Sequence, residues 1–209
     1  MHDPLGGEKH PILHLIVGPN GAGKTTFYYQ LLARSSQAPF INADEIERAA
    51  RQAGETLDSY VAAQRAAAQR DTLIGEGRSF VAETVFSHPS KLDLLRQARM
   101  AGYTINLYHL HVRNADISVA RVAQRVVEGG HAVPEAKTRE RHARNQALIR
   151  EATLLADVTR VYDCSRYARP PRWLMTLVRG RVVKLERSLP AWARALYRDQ
   201  LRPYRLPGT

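Results

Sequence analysis

Apolar residues along the chain gather into short dense runs separated by longer amphipathic stretches. Residues 12–17 (ILHLIV) form one such run and end at Gly18, the pattern of a buried strand. Runs at 40–41, 79–83, 104–112 and 158–163 predict four more strands. Within 104–112 the apolar positions Ile105, Leu107 and Leu110 break strict alternation, which implies burial on both faces. Helices are predicted between the runs. One spans 24–34, and another starts after 42–44, where Asn42 or Asp44 supplies the N-cap. An Ala-, Gln- and Arg-rich helix covers 57–75, and a further one ends at Gly102 as a C′ glycine. Residues 116–128 are closed by Gly129-Gly130, and Val133-Pro134 opens a helix running to about 155. Strands alternating with helices in this way predict a parallel α/β sheet of about five strands with helices on both faces. After Pro170-Pro171 the pattern changes to a hairpin, with 174–178 and 182–185 flanking Arg179-Gly180-Arg181, and Pro190 then opens a short helix. The expected organisation is a main domain over 1–169, with 170–209 as a basic hairpin-and-helix appendage to it.

Composition narrows the class. The chain has 209 residues, 44% hydrophobic and 24% charged, which is ordinary for a soluble globular protein. No apolar run reaches the roughly 18–20 residues that span a membrane. The opening MHDPLGGEKHP lacks the apolar stretch of a secretion signal, so a cytoplasmic protein is expected. The single cysteine, Cys164, forms no internal disulfide and offers no metal-site spacing, so a small buried residue at a strand end is expected. The net charge of +11 is uneven: residues 160–209 hold 12 Lys or Arg against 3 acids, and the first 159 hold 19 against 17. The basic tail could attract anionic substrates or nucleic acid. Its cations are scattered and accompany no nucleic-acid motif, so a solvated surface is preferred.

The most specific signal is Gly18-Pro19-Asn20-Gly21-Ala22-Gly23-Lys24-Thr25, a full GxxxxGK[ST] phosphate-binding loop between a strand and a helix. Its glycines let successive backbone N–H groups turn inward as an anion nest, and the following helix adds its positive end. Lys24 brings a point charge to the β and γ phosphates. Thr25 offers a hydroxyl to Mg²⁺, and Thr26 a contact to the α-phosphate. A P-loop NTPase fold of nucleotide-kinase type, using ATP and Mg²⁺, is therefore expected.

Two acids follow predicted strands on the edge that carries Lys24, the ligand-binding edge of an open parallel sheet. Asp44 is the expected base or orienter of an acceptor hydroxyl, and it is also suited to helix capping. Glu83 resembles the acid of a Walker B strand, holding Mg²⁺ through water, or else binds the acceptor with Thr84 beside it. Asp163 ends the fifth strand and reads as structural. Transition-state charge calls for arginine. Arg121 and Arg125 share one helical face and are the preferred phosphate contacts, Arg139 comes next, and His131 stands at a glycine corner suited to a lid. His109 and His111 share one face of a strand, a poor metal site as a pair.

GPNGAGKTT, FINADEI, FVAET and RVAQRVVEGGHAVPE, in this order, resemble the zeta-toxin family of bacterial P-loop kinases, closest to its short chromosomal members. The resemblance covers about residues 12–163. It implies transfer of the ATP γ-phosphate to the sugar 3′-hydroxyl of UDP-N-acetylglucosamine. It further implies that Lys24 binds phosphates, Asp44 acts as base, and Glu83 and Thr84 contact the amino sugar. Arg125 fills one lid-arginine position, with Arg121 as the fallback. The other position falls near His131, where this chain has no arginine, and Arg139 substitutes. A neutralising antitoxin would be a separate chain. The residues alone leave two alternatives: a P-loop kinase for a nucleoside, sugar or antibiotic hydroxyl, or an ATP-dependent nucleic-acid-binding or switch protein using the basic tail.

Overall fold

The computed structural model describes residues 10–34, 36–128 and 132–204. Seven strands form one sheet in the order β2-β3-β1-β4-β5-β6-β7. They are β1 (Ile12–Val17), β2 (Phe40–Ile41), β3 (Phe80–Thr84), β4 (Thr104–His111), β5 (Val158–Asp163), β6 (Arg172–Val178) and β7 (Arg181–Leu185). The first five are mutually parallel. The hairpin β6-β7 then adds two antiparallel strands on the β5 edge. The basic tail thus extends the sheet itself, beyond the five strands expected.

Central strands are apolar on both sides because each face meets its own core. Leu13, Leu15, Val17, Ile105 and Leu107 join one cluster beneath α3 (Ser59–Gly75), α4 (Ser90–Met100) and α6 (Glu135–Leu155). Ile16, Val81, Tyr108 and Leu110 face the opposite cluster with Phe27 and Tyr28. A third cluster joins Val161, Met175 and Leu177 to α7 (Ala191–Leu196) and α8 (Arg198–Leu201) through Ala193, Tyr197 and Leu201. It gives the hairpin an apolar underside and ties it to the same fold.

The helix expected over 24–34 is only partly α-helical. α1 (Lys24–Phe27) passes into a π-helical turn at Tyr28–Leu32, where Ala33 N–H bonds to Tyr28 C=O at 2.9 Å. Three aromatics in succession must all be placed here. Phe27 packs on Tyr108 and Tyr162, and Tyr28 stacks on Phe40 at 3.7 Å between ring centres. The wider winding accommodates both contacts.

Capping sets the other boundaries. Asn42, not Asp44, caps α2 (Ala43–Gln52), accepting from Asp44 N–H at 2.8 Å. Asp58 caps α3 through Tyr60 and Val61 N–H. Gly102 follows α4 in a left-handed conformation (φ 79°). Between β4 and β5 run α5 (Ala115–Val127) and α6, packed on each other.

Candidate active site

The phosphate loop runs from the end of β1 to α1 and is fixed by close backbone contacts. Gly18 lies so near β4 that a Cβ there would sit 1.9 Å from the Leu110 carbonyl oxygen. A Cβ on Gly21 (φ 71°) would press on Arg121 Cβ and Ser118 C=O of α5. Arg121 completes this seat, donating to Gly21 C=O at 3.1 Å and to Arg166 C=O at 3.2 Å. It therefore latches the loop to the segment after β5 and does not line the cleft beyond. The other loop positions, Pro19, Asn20, Ala22, Gly23 and Thr26, lie on this same turn and helix start. Asn20 also lines the cleft.

Glu83, near the end of β3, is the meeting point of three elements. Its Oε2 accepts from Thr25 Oγ1 at 2.7 Å and from Asn42 Nδ2 at 2.8 Å. Its Oε1 stands 3.6 Å from Lys24 Nζ, in an ion pair whose side chains are 6% and 10% exposed. Lys24 also donates to Pro19 C=O at 3.2 Å. A buried ammonium and carboxylate are tolerable here because they face each other and the remaining oxygen is doubly hydrogen-bonded. The pairing β1-β3 places Thr84 opposite Val17, so residues 83–84 emerge directly beside the loop. The Thr25 hydroxyl and Glu83 carboxylate are hard oxygen donors 2.7 Å apart, a set that suits Mg²⁺.

A cleft of about 410 Å³ opens in front of these groups. Asp44 stands on it at the start of α2, with its carboxylate 3.4 Å from Arg125 Nη1 at the end of α5. Asp44, Glu83, Thr84, Lys24 and Arg125 are thereby brought to one cavity. Arg139 is not: it pairs with Asp116 at 2.6 Å and Glu135 at 2.8 Å on the outside of α6, because Glu135 lies one turn before it. His131, with Gly129 and Gly130, lies outside the described residues.

Other residues of the cleft escaped the sequence reading. Asn42 was visible as a cap, but its second bond to Glu83 was not inferred. Arg70, Lys91 and Lys137 also line the cavity, beside Arg141, which the sequence places with Arg139 and Arg144 on one arginine-bearing helix. One signal existed for Arg70, since it falls on the stripe of Ala62, Ala66 and Leu73 that α3 turns to the core. A cation at such a position calls for a reason.

Elsewhere, His109 and His111 on β4 are buried, and burial lowers their pKa values to about 3 and about 2. Neighbouring His109 and His142 charges lower His111 further. His109 Nδ1 is 2.7 Å from the Tyr197 hydroxyl. No group of three or more His, Cys, Asp or Glu side chains placed to hold a metal ion is found among the described residues. Cys164 is buried, and its thiol is pushed up to about 12 by desolvation and then by Asp163. None of the described helices is long and apolar enough to cross a membrane.

With this geometry in place, the profile of the Zeta toxin family matches residues 4–169. The chain belongs to the zeta-toxin family. The matched residues include the phosphate loop, Asp44, Glu83 and Arg125. Among solved structures, a complex of AvrRxo1-ORF1 with AvrRxo1-ORF2 and ATP is similar at 15% identity with a TM-score of 0.66, covering 96% of this chain. This chain spans 66% of that one, just under two thirds of its length. A structure from the PezAT chromosomal toxin-antitoxin system of Streptococcus pneumoniae matches at 15% identity and a TM-score of 0.51, over 75% of this chain and 70% of that one. A putative kinase from Chloroflexus aurantiacus matches at 20% identity and a TM-score of 0.50, over 66% and 80%. At these identities the likeness is one of fold. No curated protein matches this zeta-toxin family member by sequence.

Proposed function

We propose that the chain transfers the γ-phosphoryl group of ATP to a hydroxyl of a UDP-amino sugar of the UDP-N-acetylglucosamine type. The observation that carries this reading is the junction at Glu83, where Lys24 and Thr25 of the phosphate loop meet Asn42 of the β2 end, with Asp44 facing the same cleft. Backbone N–H groups of 20–26 and the Lys24 ammonium bind the nucleotide phosphates. Thr25 and Glu83 would hold Mg²⁺, which neutralises charge on the transferring group when bound. Asp44 takes or orients the acceptor hydroxyl proton, held toward the cleft by Arg125, which in turn faces the charge that develops on the phosphoryl group. Thr84 and Glu83 contact the amino sugar.

ATP as donor is supported by the phosphate loop and by the relative of this fold solved with ATP. A separate antitoxin chain as partner is supported by the PezAT toxin-antitoxin system and by the AvrRxo1-ORF1:AvrRxo1-ORF2 complex, whose structures this fold resembles.

The test is a mass measurement. The protein, ATP and Mg²⁺ are incubated with UDP-sugars, nucleosides and free sugars. One added phosphoryl group on UDP-N-acetylglucosamine, absent with Lys24→Ala, is the expected outcome. Asp44→Asn should lower transfer about a hundredfold or more while ATP still binds. Retained transfer in that variant removes Asp44 from its role, and phosphorylation of another panel member replaces the acceptor.

A further inference from the structure

One side of the sheet is left bare toward β7. Through the first residues of β1, β4 and β5, and along β6 and β7, buried positions alternate with less buried ones. That is the pattern of a sheet with one packed and one solvated face. The packed side of β5 to β7 is the third cluster, under α7 and α8. On the other side, helical cover ends with Phe27 to Leu32, where Phe27 packs on Tyr108 and Tyr162. Among the described residues no helix lies beyond it over Arg160, Trp173, Thr176 and Lys184.

The strand pairings lay out what this open face carries. Arg160 on β5 lies between Tyr108 on β4 and Thr176 on β6, and Thr176 lies beside Lys184 on β7. One step along the strands Tyr162 stands opposite Trp173, and one step back Val178 stands opposite Arg181. These cations look scattered in the sequence because they occupy alternate positions of neighbouring strands, and pairing gathers them. Arg160 holds its guanidinium over the Tyr108 ring, 5.6 Å from its centre. Trp173 donates from Nε1 to Thr176 Oγ1 at 3.2 Å, which lays the half-buried indole along its own strand. Among the described residues Arg160, Arg181 and Lys184 have no hydrogen-bond or ion-pair partner. The carboxylates that border the face are engaged: Asp157 accepts from Ile105 N–H at 2.9 Å and faces Arg179 at 3.8 Å, and Glu186 accepts from Arg187 N–H at 2.8 Å.

We infer that this face binds single-stranded nucleic acid, with bases stacked on Trp173 and Tyr162 and phosphates met by Arg160, Lys184 and Arg181. Aromatic rings set among cations on an open sheet suit splayed bases, each of which has a π-face, together with the charged backbone that joins them. A duplex keeps its bases stacked inside and would leave the rings unused. An acidic protein segment would meet the cations but draw nothing specific from two adjoining rings. Strands about 4.8 Å apart place Arg160 and Lys184 roughly 10 Å from each other across the sheet, so they meet different phosphates. Arg160, seated on Tyr108, keeps its N–H groups for phosphate oxygens. None of these residues lines the cleft in front of the phosphate loop, so the face acts independently of the acceptor reading.

The test titrates full-length protein into a labelled single-stranded RNA of about 12 nucleotides and follows fluorescence anisotropy over a series of salt concentrations. Binding should be present in dilute buffer and weaken linearly in the logarithm of salt. Arg160→Gln and Lys184→Gln should each weaken it several-fold and reduce the salt slope by about one. Trp173→Leu, which keeps an apolar side chain but no ring, should weaken it about tenfold while leaving the slope unchanged. Arg198→Gln removes an exposed cation from α8, on the opposite side of the sheet, and should match wild type. No binding by wild type, or equal losses in Arg198→Gln and in the Arg160 and Lys184 variants, overturns the inference. Binding indifferent to Trp173→Leu, or matched by polyglutamate, overturns it too, and makes the face a receiver of acidic chains. Should Trp173→Leu fail to fold, the exposed Lys184 and Arg181 variants, with polyglutamate as competitor, decide alone.

Discussion

The Asn42 amide uses both of its ends, accepting from Asp44 N–H through Oδ1 and donating to Glu83 through Nδ2, each at 2.8 Å. These two duties can be separated. Asn42→Ala removes both, and loss of the cap should cost about 1 kcal/mol in chemical denaturation. Asn42→Ser keeps a cap acceptor but cannot reach Glu83, so stability should fall little while kcat drops several-fold. Equal damage to stability and to kcat in the serine variant would assign Asn42 to capping alone. The sequence shows why this was half legible. Asp44, Glu83 and Lys24 could be brought together from strand ends alone, because a parallel sheet gathers its carboxyl ends on one edge. Which of Asn42 and Asp44 capped the helix depended on a single φ/ψ setting, and the bond to Glu83 depended on a contact between residues 41 apart. Arg139 matched the spacing for a substrate contact, but its neighbours Asp116 and Glu135 claim it first.

α5 supports the phosphate loop from outside as well as facing the cleft. Its Arg121 bridges Gly21 C=O to the segment after β5, while Arg125, one turn on, reaches Asp44. Arg121→Ala should therefore raise the ATP KM several-fold and leave the acceptor KM unchanged, and Arg125→Ala should mainly lower kcat. Steady-state kinetics with each substrate varied in turn separate the two, and matching profiles would mean that both arginines act on one group. Gly18 belongs to the same support, since its Cβ would meet the Leu110 carbonyl at 1.9 Å. Gly18→Ala should lower the melting temperature sharply and not merely weaken nucleotide binding. Periodicity located α5 and the strands well. It missed the π-helical turn after Phe27, which arises from where Phe40, Tyr108 and Tyr162 stand and not from local propensity.

The sheet is continuous from β2 to β7, and this binds the fate of the basic tail to that of the P-loop core. Truncation after residue 169 would bare the β5 edge and the apolar partners of Tyr197 and Leu201, so the shortened chain should aggregate or fail to melt cooperatively. A soluble, cooperatively melting fragment would show that the hairpin is dispensable. The same tail covers His109 and His111, whose folded pKa values of about 3 and about 2 lie below the ordinary 6.5. Unfolding lets both take up protons, so their contribution is intact above pH ~6.5 and is lost progressively as the pH falls toward ~3. The melting temperature should decline over that window, and His111→Leu should shallow the decline. An unchanged slope would place the acid sensitivity elsewhere. The borders of the sheet carry one more consequence. At one border β2 is two residues long, and at the other β7 exposes Arg181 and Lys184. Neither offers a neutral, extended rail on which another molecule could add its strands. The second border is protected by charge, whose reach shrinks as ions crowd around it. Colloidal stability of this protein should thus be greatest in dilute buffer and decline with added salt, the opposite of what a protein held apart by its shape alone would do.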